Sequence, residues 1–398
     1  MADTAALEIR TLDPGDLDQV ADLGAHSFGG PRLELTVEDR AAALEDTVAA
    51  YRGRRLVGTT AVYRYQQWFG GRAVPCSGIA GVMVAPDQRG SGLARRMLAE
   101  AAAAGRERGE PISALYPTTA SLYRSVGYEI AGWWAQRAVA VADLPRPTGE
   151  VAWEPIDPAD PAVAEVAAAC AAGRDGWIVP PDRWWRSWAR RRTASGTVTW
   201  TWVGRRAGSP VAVVSYGHQK GERALFDLDA ALVVGVDGPG LTDALAFFGA
   251  NGTTGDRVRT TLPGALLARH VPQASRIPTL EDWPWMLRIL DLPGAVAARG
   301  WPAGLDLEVH LSVTAPSQVP DDPVSGDWVL RVADGAATCA PGGSGAVEIA
   351  GTDLAALYSG HLDPAQLLTE GRLGGATEAQ VSGLRAAFAG SPTLPQFF

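Results

Sequence analysis

The chain has 398 residues, enough for two or three domains, and 46% of them are hydrophobic and 20% charged, which excludes a largely disordered protein. About a fifth is glycine or proline (46 and 28 residues), so many tight turns are expected. The net charge of −9, from 44 acidic and 35 basic residues, disfavours a general nucleic-acid binder and suits a cationic substrate. No apolar run approaches the roughly 20 residues that span a bilayer, so no membrane partner is expected. The N-terminus lacks the basic-then-apolar layout of an export signal, and a cytoplasmic protein is expected. Cys76, Cys170 and Cys339 are too far apart for a disulfide framework or a zinc site, so no metal is expected. Lys220 is the only lysine, which reads as coding bias.

In chain order, residues 7–12 alternate like a strand, and 36–51 read as a helix with Thr36 as its N-cap. Arg55–Tyr65 and Arg72–Val84, rich in Val, Tyr and Thr, read as strands. A turn after Pro86 leads into a helix from about Gly92 to Gly105. It is followed by strand Ile112–Tyr116, helix Thr119–Val126 and strand Tyr128–Val141. That order implies a mixed α/β domain. The prolines of Asp143–Glu150 mark a linker. Beyond it lie helices at Pro161–Ala172, Pro181–Arg192 and Leu241–Phe248, with strands at Thr197–Val203, Val211–Tyr216, Arg223–Val236 and Arg257–Leu262. A third unit begins near Trp283. Its strands lie around Leu305–Val313 and Trp328–Val332, and its helices near Asp353–Tyr358, Pro364–Leu368 and Glu378–Ala389.

The most informative segment is Gly81–Leu98, where an apolar strand enters a Gly-containing turn that opens a helix. A helix start leaves four backbone N–H groups without intrahelical partners and so can cradle a phosphate, while glycines allow the ligand close to the backbone. Arg89, Arg95 and Arg96 surround that helix start, where the macrodipole disfavours cations by a few tenths of a kcal/mol each. A bound anion would reverse the penalty. The residues alone fit a solvated basic turn equally well. No lysine follows the turn, the third glycine of a dinucleotide fingerprint is missing, and neither Gly-x-Ser-x-Gly nor His-Glu-x-x-His occurs.

Arg89-Gly-Ser-Gly92-Leu-Ala94 resembles the Arg-x-x-Gly-x-Ala/Gly signature of the GCN5-related N-acetyltransferases (GNAT), and Tyr116-Pro-Thr-Thr-Ala-Ser-Leu-Tyr123-Arg-Ser-Val-Gly-Tyr128 resembles their second motif. The length, the Trp285–Arg299 and Thr352–Gly360 segments and the ending Leu-Pro-Gln-Phe-Phe398 narrow the likeness to the Eis (enhanced intracellular survival) type. The resemblance implies an α/β fold class of tandem GNAT folds followed by a sterol-carrier-protein-like C-terminal domain. The corresponding limits are a catalytic GNAT domain at 1–146, a second, degenerate one at 147–283 and the sterol-carrier-like part at 284–398.

It further implies transfer of acetyl from acetyl-CoA, as co-substrate, to a primary amine of a bulky cationic acceptor, aminoglycoside-like or a lysine side chain. A homohexamer (trimer of dimers) is implied too. By resemblance, Val82, Met83, Val84, Arg89, Gly90, Ser91, Gly92, Leu93, Ala94, Arg95, Thr118 and Thr119 hold acetyl-CoA. Tyr123 is implied as general acid, and the terminal carboxylate of Phe398 as general base. A phenol, with a pKa near 10, is protonated at neutral pH and can donate to a departing thiolate, whereas a free α-carboxyl near 3.5 needs burial or a relaying water to act as a base. The backbone near Met83 and Val84 is suited to polarise the acetyl carbonyl. The last residues, Pro-Gln-Phe397-Phe398, are apolar where chain ends are usually frayed and polar. His26, Phe28, Trp68, Trp133 and Trp134 are candidates to line the acceptor pocket, and no acidic cluster suited to a polyamine stands out in the first domain. The rival reading is a non-catalytic CoA- or lipid-binding sensor or scaffold, which would not depend on Tyr123 or on the chain end.

Overall fold

A computed structural model describes residues 6–29, 32, 47–182, 184, 185, 188, 198–221 and 223–396. They fall into two compact units: one gathers the chain up to Ala131 with Trp285–Ser391, the other Gly132–Pro284 with the tail from Pro392.

The first unit opens with β1 (Leu7–Thr11), α1 (Leu17–Phe28), β2 (Thr47–Arg52), β3 (Arg55–Phe69) and β4 (Arg72–Val84), whose strands form an antiparallel meander in sequence order. Gly70 and Gly71, at φ of 59° and 82°, close the β3–β4 hairpin in the two-residue turn that needs positive φ at both positions. The helix α2 (Leu93–Glu107) follows, and then β5 (Ile112–Leu115), which runs parallel to β4. Leu93, Met97, Leu98, Ala101, Ala102 and Gly105 form the buried stripe of α2, at the spacing of one helix face. The Met97 side chain passes so close to Gly58 that a Cβ there would lie 2.9 Å from Met97 Cε. Next come α3 (Ala120–Arg124) and β6 (Glu129–Ala140), which continues into the second unit.

One sequence expectation is corrected here. Residues 47–51, expected at the end of a helix, are strand β2: it hydrogen-bonds to β1 on one side and β3 on the other, and Ala49, Ala50 and Tyr51 are fully buried. Pairing on both edges overrides the helical preference of the alanines. The rest of that expected helix, with Thr36, lies outside the described residues. Helix α1 was not anticipated.

In the second unit, the further elements are β7 (Ala152–Pro155), α4 (Pro161–Ala171), β8 (Ile178–Val179), β9 (Trp200–Arg206), β10 (Ser209–Lys220), β11 (Phe226–Gly235), α5 (Gly238–Gly249), β12 (Gly255–Thr260) and α6 (Gly264–Leu267). Strands β7, β9, β10 and β11 are antiparallel neighbours, and β12 lies parallel to β11 after the intervening α5. That repeats the order of the first unit, with β6 added beside β12. Of the expected helix Pro181–Arg192, Asp182, Trp184, Trp185 and Trp188 are helical, and the Trp184 and Trp188 rings stack with centroids 6.0 Å apart. The tail is docked: Thr393 bridges to Trp133 and accepts a hydrogen bond from Trp177 Nε1 at 3.0 Å, and Leu394 is fully buried.

The chain returns to the first unit through β13 (Thr279–Ile289), whose Met286–Ile289 pair antiparallel with β5. The remainder comprises α7 (Leu292–Ala298), β14 (Leu307–Thr314), β15 (Gly326–Ala333), β16 (Ala336–Pro341), β17 (Val347–Ala350), α8 (Gly351–Ser359), α9 (Pro364–Thr369), β18 (Leu373–Gly374) and α10 (Glu378–Ala387). A five-stranded sheet runs β16-β15-β14-β17-β18. Its strands β14 and β15 bury alternate residues, as a sheet covered on one face requires. A Thr377–Gln380 capping box starts α10.

This region locks onto β3. Gly300 N donates to Phe69 O at 3.2 Å, and Arg299, buried to 1% exposure, sits 5.2–6.0 Å from the rings of Phe69, Trp301, Tyr358 and Phe388. No helix among the described residues is long and apolar enough to cross a membrane.

Candidate active site

Strand β4 changes partners as it approaches the site. Its register against β3 shifts between the pairs Thr59↔Met83 and Ala61↔Ala80. Gly81 takes φ 54° in this bulge, with Thr59 Oγ1 donating to its carbonyl at 3.2 Å. On the other edge, β5 pairs only Cys76–Ile79. From Ala80 to Val84 that edge of β4 has no partner on β5, so the main chain of Val82, Met83 and Val84 is left to bond something else.

The turn beyond β4 is braced from outside. Arg55 forks onto Asp87 at 2.8 and 2.6 Å, and this guanidinium holds the Asp87 carboxyl well below the usual carboxylate range. Arg52 Nε donates to Gln88 Oε1 at 2.9 Å, and Ser91 Oγ to Gln88 O at 2.6 Å. Gly90 and Gly92 then adopt φ of 77° and 81°, and a Cβ on either would meet nothing within 4 Å. The glycines are therefore required by backbone conformation, and the space before them is open. Gly92 is the N-cap of α2 with no capping side chain, and the first turn of α2 carries no acidic residue. Its amides thus await an external acceptor. Arg89, Arg95 and Arg96 stand exposed around them, Arg95 Nε bonding Ser125 Oγ at 3.2 Å. An uncapped helix start, an open left-handed glycine pair and three guanidinium groups fit the diphosphate of acetyl-CoA.

Tyr123 lies on α3, at 5% exposure, in a core with Ile79, Leu115, Val126, Tyr128 and Met286. Among the described residues its hydroxyl makes no hydrogen bond, and burial pushes its pKa above the usual 10. Tyr128 meets it edge-on, with ring centroids 6.1 Å apart. The Tyr128 hydroxyl is committed to Ser113 Oγ at 2.8 Å, Ser113 in turn donates to Ser77 O, and burial pushes Tyr128 up to about 12. Of these two phenols, Tyr123 has its proton free to give.

Short α3 is held in place by charge. Arg124 forks onto the buried Glu129 (Nη2 to Oε1, 2.7 Å), which also faces Arg372 at 3.8 Å, and Arg372 is ion-paired with Asp353 of α8. Just past α3, Ser125 O accepts from Gln318 N at 3.1 Å. At Gly127, φ 97°, a Cβ would come 3.0 Å from Arg288 Nε, and Arg288 Nη2 meets Asp322 Oδ2 at 2.6 Å. The 315–325 segment and the C-terminal sheet thus fix the element that carries Tyr123. Single residues gave no signal of these contacts, because each joins positions far apart in the chain.

The other candidates are distributed as follows. Thr118 and Thr119 are exposed before α3; Thr119 occupies its N-cap position without a capping bond and meets Ser121 Oγ at 3.3 Å. His26 and Phe28 are exposed at the end of α1, whose Gly24 lies against Met83, a Cβ there standing 3.7 Å from Met83 Sδ. Trp68 is not brought to them: it pairs with Ala73 at the closed end of the hairpin, nine residues along β3 from Thr59, about 30 Å of strand. Among the described residues its indole Nε1 is buried without a hydrogen-bond partner. Trp133 and Trp134 belong to the second unit, and Phe398 lies outside the described residues.

The second unit does not repeat the open helix start. There the α5 N-terminus is capped by Asp237, whose Oδ1 accepts from Gly240 N at 2.7 Å, so a carboxylate already fills the place of a phosphate. A Cβ on Gly235 would collide with the Leu241 main chain. Its order of elements persists while its anion site is closed.

Residues 8–131 match the acetyltransferase (GNAT) domain model and residues 292–395 the sterol carrier protein domain model. The chain is 29% identical over 401 residues, 92% of this chain and 93% of the relative, to an uncharacterized N-acetyltransferase of Streptomyces griseus. It is 30% identical to the crystal structure of a GCN5-related N-acetyltransferase from Kribbella flavida, covering 99% and 100% of the two chains with a TM-score of 0.81. A GCN5-related N-acetyltransferase from Anabaena variabilis matches with a TM-score of 0.89 at 26% identity over 99% and 100% of the chains. The fold is also that of Eis1 from Mycobacterium abscessus: TM-score 0.79 and 18% identity over 99% and 100%.

Proposed function

From the premise that the chain belongs to the GCN5-related N-acetyltransferases, and is an N-acetyltransferase, we propose that it acetylates a primary amine of a bulky cationic acceptor, with Tyr123 as general acid. Bound acetyl-CoA supplies the activated acetyl group. Its diphosphate would be held by the α2 amides with Arg89, Gly90, Ser91, Gly92, Leu93, Ala94 and Arg95, and its arm by Val82, Met83 and Val84, with Thr118 and Thr119 alongside. The same β4 amides are suited to hydrogen-bond the acetyl carbonyl as charge develops on it. Tyr123 Oη, protonated and with no other acceptor among the described residues, gives its proton to the departing sulfur. The base is assigned to the Phe398 carboxylate on family resemblance, and a C-terminal tag tests that assignment directly. Acetyl-CoA as donor, a lysine or aminoglycoside-like amine as acceptor, and a homohexamer are parts of the same proposal.

The observation that carries this reading is the pairing of an uncapped α2 N-terminus with a buried, unbonded phenol in one compact unit. The test is thiol release from acetyl-CoA across a panel of amines. Tyr123→Phe is expected to lower kcat by about 10²-fold with KM for acetyl-CoA little changed, the lower range for general acid catalysis. Because its hydroxyl makes no hydrogen bond among the described residues, the variant should fold as the wild type does. Undiminished turnover in Tyr123→Phe would refute the acid.

A further inference from the structure

Among the described residues, the second unit contains a cavity of about 250 Å³ for which the reaction above has no use. Its walls are Trp153 of β7, Tyr216 of β10, Asp243 and Phe247 of α5 and Asn251 just beyond it, with residues of the 147–151 segment alongside. The rings form a connected group: Trp153 and Phe247 have centroids 4.7 Å apart at 54°, and Tyr216 and Phe247 5.8 Å apart at 61°. Each of the three is only half-buried, so aromatic surface remains uncovered in the wall.

The polar groups in the wall are few and partly unused. Asp243 gives Oδ2 to Arg206, while among the described residues Oδ1 accepts no hydrogen bond. The Tyr216 hydroxyl makes none either. Asn251 spends its amide on Phe247 O and Phe248 O at 3.4 and 3.3 Å. Burial pushes the Asp243 carboxyl upward, Arg206 opposes that shift, and Glu150 and Asp237 each add a smaller upward push. Arg146, the other nearby cation, is tied to the Gly249 carbonyl. Among the described residues that line the cavity, Asp243 is the one with a charged side chain, and its Oδ1 is placed to accept from a cation rather than to bind an anion.

We propose that this cavity binds a small alkylammonium cation, with its charge against Asp243 Oδ1 and its alkyl groups on the rings of Trp153, Tyr216 and Phe247. Aromatic rings attract a cation through the negative potential of their faces, most strongly when water is excluded. A carboxylate beside them adds the charge that a neutral ligand of the same shape cannot use. The volume is below that of a site for a drug-sized molecule, so the ligand is compact.

The test is calorimetric titration of the full-length protein with choline, and with its neutral isostere 3,3-dimethylbutan-1-ol. Choline is expected to bind at least about tenfold more tightly than the alcohol, and Phe247→Leu or Trp153→Leu to weaken it by about tenfold. Asp243→Asn should abolish the preference for the cation. Since that variant also unpairs Arg206, Tyr216→Phe, which changes one hydroxyl, provides a second reading: choline should still bind, because the ring remains. Equal affinity for choline and the alcohol, absence of heat up to about 20 mM choline, or choline binding untouched by both ring substitutions would each overturn the proposal.

Discussion

Replacing Asp322 by asparagine tests the buried ion pair that backs the element carrying Tyr123. Arg288 and Asp322 are 5% and 4% exposed and meet at 2.6 Å. Among the described residues the Arg288 nitrogens Nε and Nη1 are buried without hydrogen-bond partners, and Asp322 is the carboxylate that meets this guanidinium. Asparagine can keep the oxygen that accepts from Val324 N at 2.9 Å, but its amide nitrogen, a donor, then faces Arg288 Nη2, so the guanidinium loses both the opposite charge and its acceptor. An uncompensated buried cation costs about 3–5 kcal/mol. In a unit of this size, that is a fall of roughly 6–20 °C in Tm. Urea unfolding followed by near-ultraviolet circular dichroism measures it. The double variant Arg288→Met with Asp322→Asn removes both charges and should return to within about 1–2 kcal/mol of the wild type, since apolar replacement of a buried pair is often neutral. A loss below about 1 kcal/mol in the single variant, or a double variant as unstable as the single, would show that water or another group already compensates Arg288.

Further outcomes are expected at the site. Since burial raises the Tyr123 pKa above 10 and the acid must be protonated to act, kcat should hold as pH rises to about 10 and fall only above it, and that basic limb should vanish in Tyr123→Phe. Gly92→Val places a β-branched residue at φ 81° at the mouth of the anion cradle, and a strain of about 1–2 kcal/mol should raise KM for acetyl-CoA roughly tenfold in steady-state assays. Cys76 and Cys170 are fully buried and Cys339 nearly so, with burial pushing the Cys76 thiol up and Cys339 to about 12. A chromogenic disulfide reagent should therefore find almost no thiol in the native protein and all three after denaturation. Rapid labelling of the native protein would contradict that burial.

What the sequence determined by itself was local. The β4–turn–α2 segment is legible because its information is short-range: an apolar strand, glycines at two positions that demand positive φ, and a helix stripe spaced at 3.6 residues. The Tyr123 helix and its Gly-Tyr exit are legible for the same reason. Residues 47–51 misread as helix because their alanines carry no mark of the two strands that flank them. Tertiary structure alone decided how Tyr123 is held. Arg124, Glu129, Arg372 and Asp353 meet across more than two hundred residues of chain, and β13 enters beside β5 to bring Met286 into the core that holds Tyr123. It alone also closed the second helix start, where Asp237 folds back onto the Gly240 amide. Composition and periodicity report which residues lie on one face of one element. Which elements meet depends on packing and on the pairing of buried charge, and those terms act between positions that no local window contains.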